Sequence, residues 1–334
     1  INQTSLTLDT STYQIQVGEG LNAQTSAILR LNPHIYTRKD NLIAKVGLSL
    51  QSDIVSEAKF YLFPDIEVSY SLFNDVFIPY AGWKGDVQRN TFNKIRLENP
   101  FISEDIDLNN TAQRSNLYVG IRGSLSSKFT FNFSTNVERF DNFYFYVPDT
   151  TSSLENKFQV TYNKVNRTTI LGEVTYQNGE KLKLAGKAEY FIYKLKIEDD
   201  DDAKAWQRPD FMLTGSAILD LSDKLIIRSD LYLVGSRNVY SYQIPTLSNN
   251  MVEDFVNNSH FDEISYNRYA FKLKPFVDMN LSAEYRYNDK VSAFIRFNNF
   301  TAKRYQFWTN TPVQSCLLYT SPSPLYKYIW RGNA

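Results

Sequence analysis

The amino-acid sequence predicts an all-β protein: an antiparallel up-and-down transmembrane β-barrel of which this chain is a part. Three observations predict this fold. Apolar and polar residues alternate over runs of about 10–14 residues, whereas strands of soluble sheets usually have about 5–6. Tyr and Phe, 23 of each, gather near the ends of these runs. Short turns and long links alternate, as the two rims of a membrane barrel require. A soluble β-sandwich also alternates and stays open as the alternative.

Composition excludes several other classes of protein. The 334 residues include 36 basic and 36 acidic ones, so the basic excess of a nucleic-acid-binding protein is lacking and no nucleic-acid partner is expected. No run of about 18 apolar residues predicts a transmembrane helix, whereas a barrel strand needs an apolar residue only at every second position. Cys316 is the single cysteine, which excludes an intrachain disulfide. The start at Ile1, without a signal peptide, predicts a fragment.

The alternating runs give roughly fourteen strands, each with an apolar and a polar face. In the last hairpin before the tail, Val277, Leu281 and Ile295 share the apolar face, and Ser282 lies on the other. We expect the apolar face to contact lipid and the polar face to line a water-filled lumen. The residues predicted to face the lumen are Arg122, Arg228, Asp230, Asp278, Glu284, Arg286 and Arg296.

The connections predict which strands meet at which rim. One uncertain place is residues 158–177, which form either one long strand or two strands split at 163–167. The even-numbered apolar residues continue through the split point, so one strand that projects beyond a rim is predicted. Short turns are predicted at 37–41, 73–76, 125–128, 178–181, 221–224 and 287–290, and long links at 86–113, 140–155, 196–208 and 237–270.

Two stretches carry a family resemblance. The segment VDMNLSAEYRYNDKVSAFIRFNNFTAKRYQFW, which begins at Val277, resembles the end of TonB-dependent receptor barrels, with Phe297–Phe300 and Arg304–Gln306 as its sharpest matches. LNPHIY, from Leu31, and YLFPDIEVSYSL, from Tyr61, resemble receptor-like barrels of Bacteroidota. The resemblance covers most of residues 1–314.

This resemblance implies a Gram-negative outer-membrane receptor whose barrel has about 22 strands. Such receptors carry an N-terminal plug and a TonB box, and they draw energy from the inner-membrane TonB–ExbB–ExbD complex. Their substrates are iron chelates, cobalamin or oligosaccharides. Their partners are outer-membrane lipid, the barrel-assembly machinery and, in this group, a surface lipoprotein. The chain shows about fourteen strands and neither plug nor TonB box, so contact with TonB is expected through a missing N-terminal region.

The C-terminal stretch breaks the alternation. CLLYTSPSP, from Cys316, resembles a translated sequencing-library adapter, in which TGT CTC TTA TAC ACA TCT reads Cys-Leu-Leu-Tyr-Thr-Ser. A native C-terminal loop is the alternative. We therefore predict that residues 1–314 form the barrel portion and that residues 315–334 are a non-native tail.

Candidate ligand-binding residues come from the longest link, because binding residues concentrate on loops. Its aromatic residues lie among many Asn, a combination typical of a sugar or chelate pocket; a plain surface loop is the alternative. Farther upstream, Trp206 is expected at the membrane interface. The candidates in the link are Tyr240, Tyr242, Phe255, His260 and Phe261.

The sequence gives little support for a metal site, a cofactor site or an enzyme active site. His34 and His260, the two histidines, are far apart, and Glu198–Asp202 reads as a solvated acidic loop, so no metal site or cofactor is predicted. No nucleophile motif or catalytic carboxylate pair emerges, so no enzyme is expected. The sequence favours a TonB-dependent receptor or transporter fragment. A plugless porin or channel, or a structural barrel protein, stays open as the alternative.

Overall fold

One large antiparallel sheet dominates the protein. The computed structural model describes residues 2–17, 20–54, 58–150, 152, 156–196, 203–222, 224–243, 267–288 and 291–324, with the backbone alone at 2–17, 20–26, 196, 241–243, 267–269 and 321–324. Within this part of the chain, fourteen strands pair in one sheet, and each is hydrogen-bonded to the next sheet strand along the chain. This up-and-down order confirms the predicted fold class.

The sheet strands follow in chain order. Two further hairpins and one helix lie in the links between them. The sheet consists of β1 (Asn2–Val17), β2 (Gly20–Lys39), β3 (Leu42–Ile54), β4 (Ala58–Tyr70), β5 (Ile78–Gln88), β6 (Thr111–Ser126), β7 (Phe129–Pro148), β8 (Phe158–Asn178), β9 (Leu182–Lys196), β10 (Phe211–Ser222), β11 (Leu225–Val234), β14 (Phe276–Asn288), β15 (Val291–Asn298) and β18 (Leu317–Pro324). Outside it lie α1 (Phe92–Glu98), the hairpin of β12 (Arg237–Gln243) and β13 (Asn267–Leu273), and the hairpin of β16 (Gln306–Trp308) and β17 (Thr311–Pro312).

The two faces of the sheet differ as the sequence predicts. Residues directly opposite each other on paired strands point to the same face, so the register carries each face across the sheet. On one face, large apolar side chains are exposed rather than covered by other protein, as in a wall that contacts lipid. We call this the apolar face and the opposite one the polar face. Exposed residues of the apolar face include Val46, Leu62, Val119, Val137, Ile170 and Ile295.

Close packing on the polar face uses glycines opposite tyrosines. Gly82 lies opposite Tyr118, and a Cβ at Gly82 would lie 2.3 Å from the Tyr118 ring. Gly120 lies opposite Tyr80 in the same way, with 2.5 Å to the ring. The two tyrosine rings approach with centroids 6.1 Å apart. A side chain at either glycine would displace a ring, so this part of the wall depends on glycine.

The connections match the predicted rims from β4 onward. Short turns join β4–β5, β6–β7, β8–β9, β10–β11 and β14–β15 at one rim, which we call the short-turn rim. Longer links lie at the opposite, long-link rim. The predicted strict alternation is wrong near the start of the chain, because β1–β2 and β3–β4 are joined at the long-link rim by only residues 18–19 and 55–57.

Two of the predicted long links contain strands. β7 continues to Pro148, so most of the predicted link 140–155 is strand. The predicted link 237–270 contains β12 and the start of β13. The reading of 158–177 as one strand is confirmed, because β8 has 21 residues. β7 and β8 therefore project together beyond the long-link rim.

The helix α1 lies in the link between β5 and β6. The side chain of Thr91 caps it by accepting a hydrogen bond from the Lys94 backbone N–H at 3.1 Å. It ends at Asn99, which is extended because Pro100 follows it. Ile95 is fully buried and anchors the helix. No helix in the described ranges is long and apolar enough to cross a membrane.

Candidate functional site in the loop cap

The long links pack together at one rim rather than extending separately into solvent. Four segments do so: 89–110, 203–210, 235–243 and 299–312, together with the projecting ends of β7 and β8. We call this assembly the loop cap. Its contacts join segments that are up to about two hundred residues apart, as between Ile95 and Trp308, so the cap is a tertiary structure.

A register shift in β7 places aromatic side chains where the cap packs on the sheet. Between Phe140 and Phe143 the register with β8 shifts, and Asn142 adopts the left-handed conformation with φ of 54°. The shift exchanges the faces of β7, so Phe143 and Phe145 continue the polar face while Tyr146 continues the apolar face. Large aromatic side chains therefore project on both sides of the hairpin above the rim.

A first cluster forms on the side that continues the polar face. Trp206 packs edge-to-face on Tyr240, with ring centroids 4.8 Å apart. Both rings are almost fully buried, which corrects the expectation that Trp206 lies at the membrane interface. The cluster anchors segment 203–210 over the inner side of the wall. Its buried members are Phe140, Phe143, Phe145, Val165, Ala205, Trp206 and Tyr240.

A second cluster forms on the opposite side of the same hairpin. Trp308 inserts between Tyr146 and Phe158, with centroid distances of 4.8 Å and 5.7 Å. The contact fixes β16 against β7 and β8, although β15 and β8 are far apart in the sheet order. The buried members are Ile95, Ile102, Ile106, Leu108, Tyr144, Tyr146, Phe158 and Trp308.

Arg208 lies where several of these segments meet. Its guanidinium forms an ion pair with Glu98 of α1 and donates to the Tyr144 backbone carbonyl at 3.2 Å. The Tyr144 hydroxyl donates to the same carboxylate at 2.6 Å. Burial disfavours the charge of Arg208, but Glu98 together with Tyr144, Tyr146 and Tyr193 outweighs this cost, so the pKa of Arg208 is raised. Burial lowers the pKa of the Lys94 ammonium, one turn before Glu98.

Arg237 is buried without a carboxylate among its described contacts. It donates to the backbone carbonyls of Gln306, at 2.7 Å, and Phe307. Its guanidinium also lies over the rings of Phe276 and Phe307, 5.3 Å and 5.5 Å from their centroids. Burial lowers the pKa of Arg237 to about 10. Nearby, Gln207 donates to Thr309 at 2.5 Å, so two bonded side chains join the link after β15 to earlier segments.

The link between β5 and β6 bends over the polar face of the wall. Val87, at the end of β5 just before the link, donates its backbone N–H to Gln51 of β3 at 2.9 Å. Asp86 accepts from Arg30 of β2 at 3.2 Å, and Asn110 donates to Asp53 at 2.7 Å. Part of the cap therefore lies across the inner side of the wall.

Comparisons with solved structures identify the architecture. No protein-family model and no curated protein matches the chain. The pyoverdine outer membrane receptor FpvA from Pseudomonas aeruginosa PAO1 superposes with a TM-score of 0.61 at 12% identity, over 92% of this chain and 43% of that one. The FrpB iron transporter from Neisseria meningitidis gives 0.58 at 11%, over 90% and 44%. The copper transporter OprC gives 0.54 at 14%, over 89% and 46%.

The chain has the fold of a TonB-dependent receptor barrel. This confirms the resemblance at the level of the fold, and an outer-membrane barrel fold fits the expected localisation, since the neighbours include outer-membrane receptors. The chain spans less than half the length of the matched structures, 43% to 46% of those above. The sheet corresponds to part of such a barrel. The assignment to Bacteroidota stays a prediction.

The residues predicted to face the lumen of the barrel share one face. Following the register from β6 to β15 places all seven on the polar face. Glu284 accepts from Arg228 at 3.3 Å and from Arg286 at 3.2 Å, and Asp278 accepts from the Tyr305 hydroxyl at 2.8 Å. That this face encloses water stays a prediction. Arg122 lies over the Tyr80 ring, Asp230 lines a depression with Lys187, and Arg296 is exposed.

The structure places the predicted ligand-binding residues in different parts of the chain. Tyr240 is enclosed in the first cluster of the cap, where it supports structure. Tyr242 belongs to β12, and only its backbone is described. Phe255, His260 and Phe261 lie outside the described residues. His34 lies on the wall, where its Nδ1 donates to the Asn32 backbone carbonyl at 3.0 Å, and no group of metal-binding side chains occurs in the described ranges.

Sequence reasoning missed the residues that organise the cap, namely Glu98, Arg208, Arg237 and Trp308. A signal for part of it was available. Residues 143–146 are all aromatic, and Asp141 and Asn142 just before them interrupt the alternation as a bulge does. No local pattern indicated that Arg208 would meet Glu98, 110 residues earlier.

Proposed function

We propose that the chain is part of a TonB-dependent outer-membrane receptor that takes up a substrate across the Gram-negative outer membrane. One observation carries the proposal: a wall with an exposed apolar face is covered at one rim by a packed cap that bends over its polar face. A wall of this kind separates lipid from a water-filled passage. Rigid links at its mouth are suited to select what enters.

The cap and the neighbours support a proposal for the substrate class. Among the neighbours are a receptor bound to pyoverdine, an iron transporter and a copper transporter. We infer an iron chelate, with cobalamin or an oligosaccharide as the other classes. Tyr242, Phe255, His260 and Phe261 are the candidate contacts in this proposal. Tyr240 holds the base of their link, because its ring is packed against Trp206.

The partners follow from the same proposal. A plug domain and a TonB box would join the receptor to the TonB complex. The barrel-assembly machinery would insert the strands into outer-membrane lipid, and a surface lipoprotein would assist capture at the long-link rim. No enzymatic role is proposed. The neighbours are receptors and transporters, which fits a protein that binds and moves its substrate unchanged.

Uptake measurements test the function. The gene for the full-length protein is deleted in strains with and without a working TonB. Uptake of radiolabelled ferric chelates, cobalamin and oligosaccharides is then followed. We expect one substrate class to require both the protein and TonB. Uptake that needs the protein but not TonB, with a steady conductance in planar bilayers, would instead identify a porin or channel. No effect on any solute would favour a structural barrel.

A matched pair of variants locates the binding site. Replacing Tyr242, Phe255, His260 and Phe261 by Ala should abolish binding of the identified substrate while the barrel still assembles. The control replaces Tyr285 and Tyr287 by Ala, because these exposed tyrosines lie on the apolar face at the opposite, short-turn rim. Normal substrate binding by the loop variant would refute this assignment of contacts.

A further inference from the structure

A basic cleft opens at the long-link rim, between the start of β14 and the segment after β15. Its volume is about 820 Å³. It is separate from the clusters that hold the cap around β7 and β8. The lining has two parts, a set of cations and a set of apolar and aromatic side chains. The cations are Lys272, Lys274, Lys303 and Arg304.

The four cations have no carboxylate neighbour in the cleft. All four are exposed, and within the described residues none forms an ion pair. No Asp or Glu lines the cleft. Asp278, near its wall, already accepts the Tyr305 hydroxyl at 2.8 Å. Four like charges around one opening create a positive potential that favours an anion.

The floor of the cleft continues the apolar face of the wall. Leu233 of β11 lies directly opposite Val277 of β14, and both line the cleft. One step toward the membrane on the same face, Leu231 lies opposite Met279. The apolar face of the wall therefore reaches the floor of the cleft, which the four cations also line.

The wall of the cleft is held by packed aromatic rings. Phe276 stacks on Tyr305 with ring centroids 3.9 Å apart and planes 6° apart. The guanidinium of the buried Arg237 lies over the Phe276 ring, 5.3 Å from its centroid. The segment that carries Lys303 and Arg304 is thereby fixed against β14, so the cations are presented in a defined place.

We propose that this cleft binds the phosphate-bearing headgroup of a lipid in the surrounding membrane leaflet. Lysine and arginine are suited to phosphate oxygens, and basic side chains beside a bilayer bind anionic headgroups. The apolar stripe below the cleft contacts the chains of the same lipid, which a soluble phosphate would leave uncovered. The proposal goes beyond uptake, because it needs the membrane orientation of the wall and not a transported substrate.

Lipid retention tests the site. The full-length protein is placed in nanodiscs of phosphatidylcholine with a minor fraction of phosphatidic acid, and retained lipids are counted by native mass spectrometry. We expect the wild type to retain phosphatidic acid. The variant Lys272→Gln/Lys274→Gln/Lys303→Gln/Arg304→Gln should retain at least about tenfold less. The variant Lys272→Arg/Lys274→Arg/Lys303→Arg/Arg304→Lys keeps the charges and should behave as the wild type.

A control variant loses the same number of positive charges at the opposite rim. Lys39, Lys128, Lys181 and Lys224 are exposed at the short-turn rim, and their replacement by Gln should leave retention unchanged. Equal retention by the cleft variant and the wild type would overturn the proposal. So would displacement of the lipid by inorganic phosphate alone at millimolar concentration, which would identify a soluble phosphate site. Heat-modifiable migration on gels verifies that each variant is folded.

Discussion

The wall and the loop cap contain the same kind of strand, but the apolar side chains of these strands have different surroundings in the two regions. On β8, Ile170 is 48% exposed, whereas Phe158, twelve residues earlier on the same face, is 0% exposed. Both are large apolar residues at even-numbered positions of one uninterrupted strand. The wall leaves this face open, and the cap covers it with Trp308 and the link that contains α1.

The difference shows that the two regions are stabilised in different ways. In the wall, backbone hydrogen bonds join each strand to its neighbours in the sheet, and the apolar face is expected to depend on lipid. In the cap, side chains are removed from water by other side chains, as in the core of a soluble domain. Substitutions in the cap should therefore change local packing, and substitutions in the wall should act through the membrane.

The largest effect is expected in the cap core. Trp308→Ala should destabilise the docking of residues 305–312 by about 3–5 kcal/mol, because a buried aromatic between Tyr146 and Phe158 leaves a cavity. Hydrogen exchange by mass spectrometry should show faster exchange in this segment and in 92–108, with the wall unchanged. Phe300→Ala, at a half-exposed ring, is the control. Unaltered exchange in 305–312 would mean that Trp308 does not hold the cap.

The next effect concerns the wall. Leu281→Arg or Ile295→Arg should cost roughly 2–4 kcal/mol at mid-membrane depth, because the side chain faces hydrocarbon. Ser282→Arg, on the polar face next to Leu281, should cost less than about 1 kcal/mol. Folding titrations of the full-length protein into lipid vesicles measure both values. Equal costs at Leu281 and Ser282 would contradict the assignment of the two faces.

An intermediate effect is expected at the Arg208 ion pair. Arg208→Gln leaves Glu98 without its partner and should weaken the cap by about 2 kcal/mol, less than a fully buried pair because Glu98 is one-third exposed. Exchange rates of 92–98 report the change. Arg208→Gln/Glu98→Gln should recover part of the loss, because no unpaired charge remains. A double variant that is weaker than the single one would argue against charge as the cause.

The smallest effect is expected for the exposed charges of the wall. Glu284→Gln removes the partner of Arg228 and Arg286, but all three side chains are part-exposed, so the cost should be below about 1 kcal/mol. The same vesicle titration measures it. A loss as large as that of Leu281→Arg would show that this network is shielded from water, which would remove the main distinction between the two faces.

Much of the wall was predictable, because its signals are local. The side-chain period of two marks the faces, and residues such as Asn178 and Gly179 mark the turns. The single strand at 158–177 was predicted only because its apolar residues keep even-numbered positions throughout. The prediction that 315–334 is a non-native tail stays open. The structure pairs Leu317–Pro324 with β15, and any extended segment can pair at an open edge.

The cap was poorly predicted, because its contacts join residues that the sequence separates widely. Trp206 was predicted to lie at the membrane interface, because the sequence around a single Trp after a loop does not indicate which distant residues will cover it. The extension of β7 to Pro148 was missed because the shift at Asn142 reverses the faces and breaks the pattern that marks a strand. For example, the side chains of Gln207 and Thr309 form a hydrogen bond although the two residues are 102 apart in the sequence.

By itself, the sequence determined the up-and-down order and which side of each strand is apolar. It could do so because alternation and turn chemistry depend on neighbours along the chain. Only the tertiary structure decided what each apolar surface meets: Ile170 remains open to the membrane, while Phe158 is enclosed by Trp308. The physical reason is that burial depends on the summed contacts of distant links, and those contacts exist only after the sheet has brought their ends to one rim.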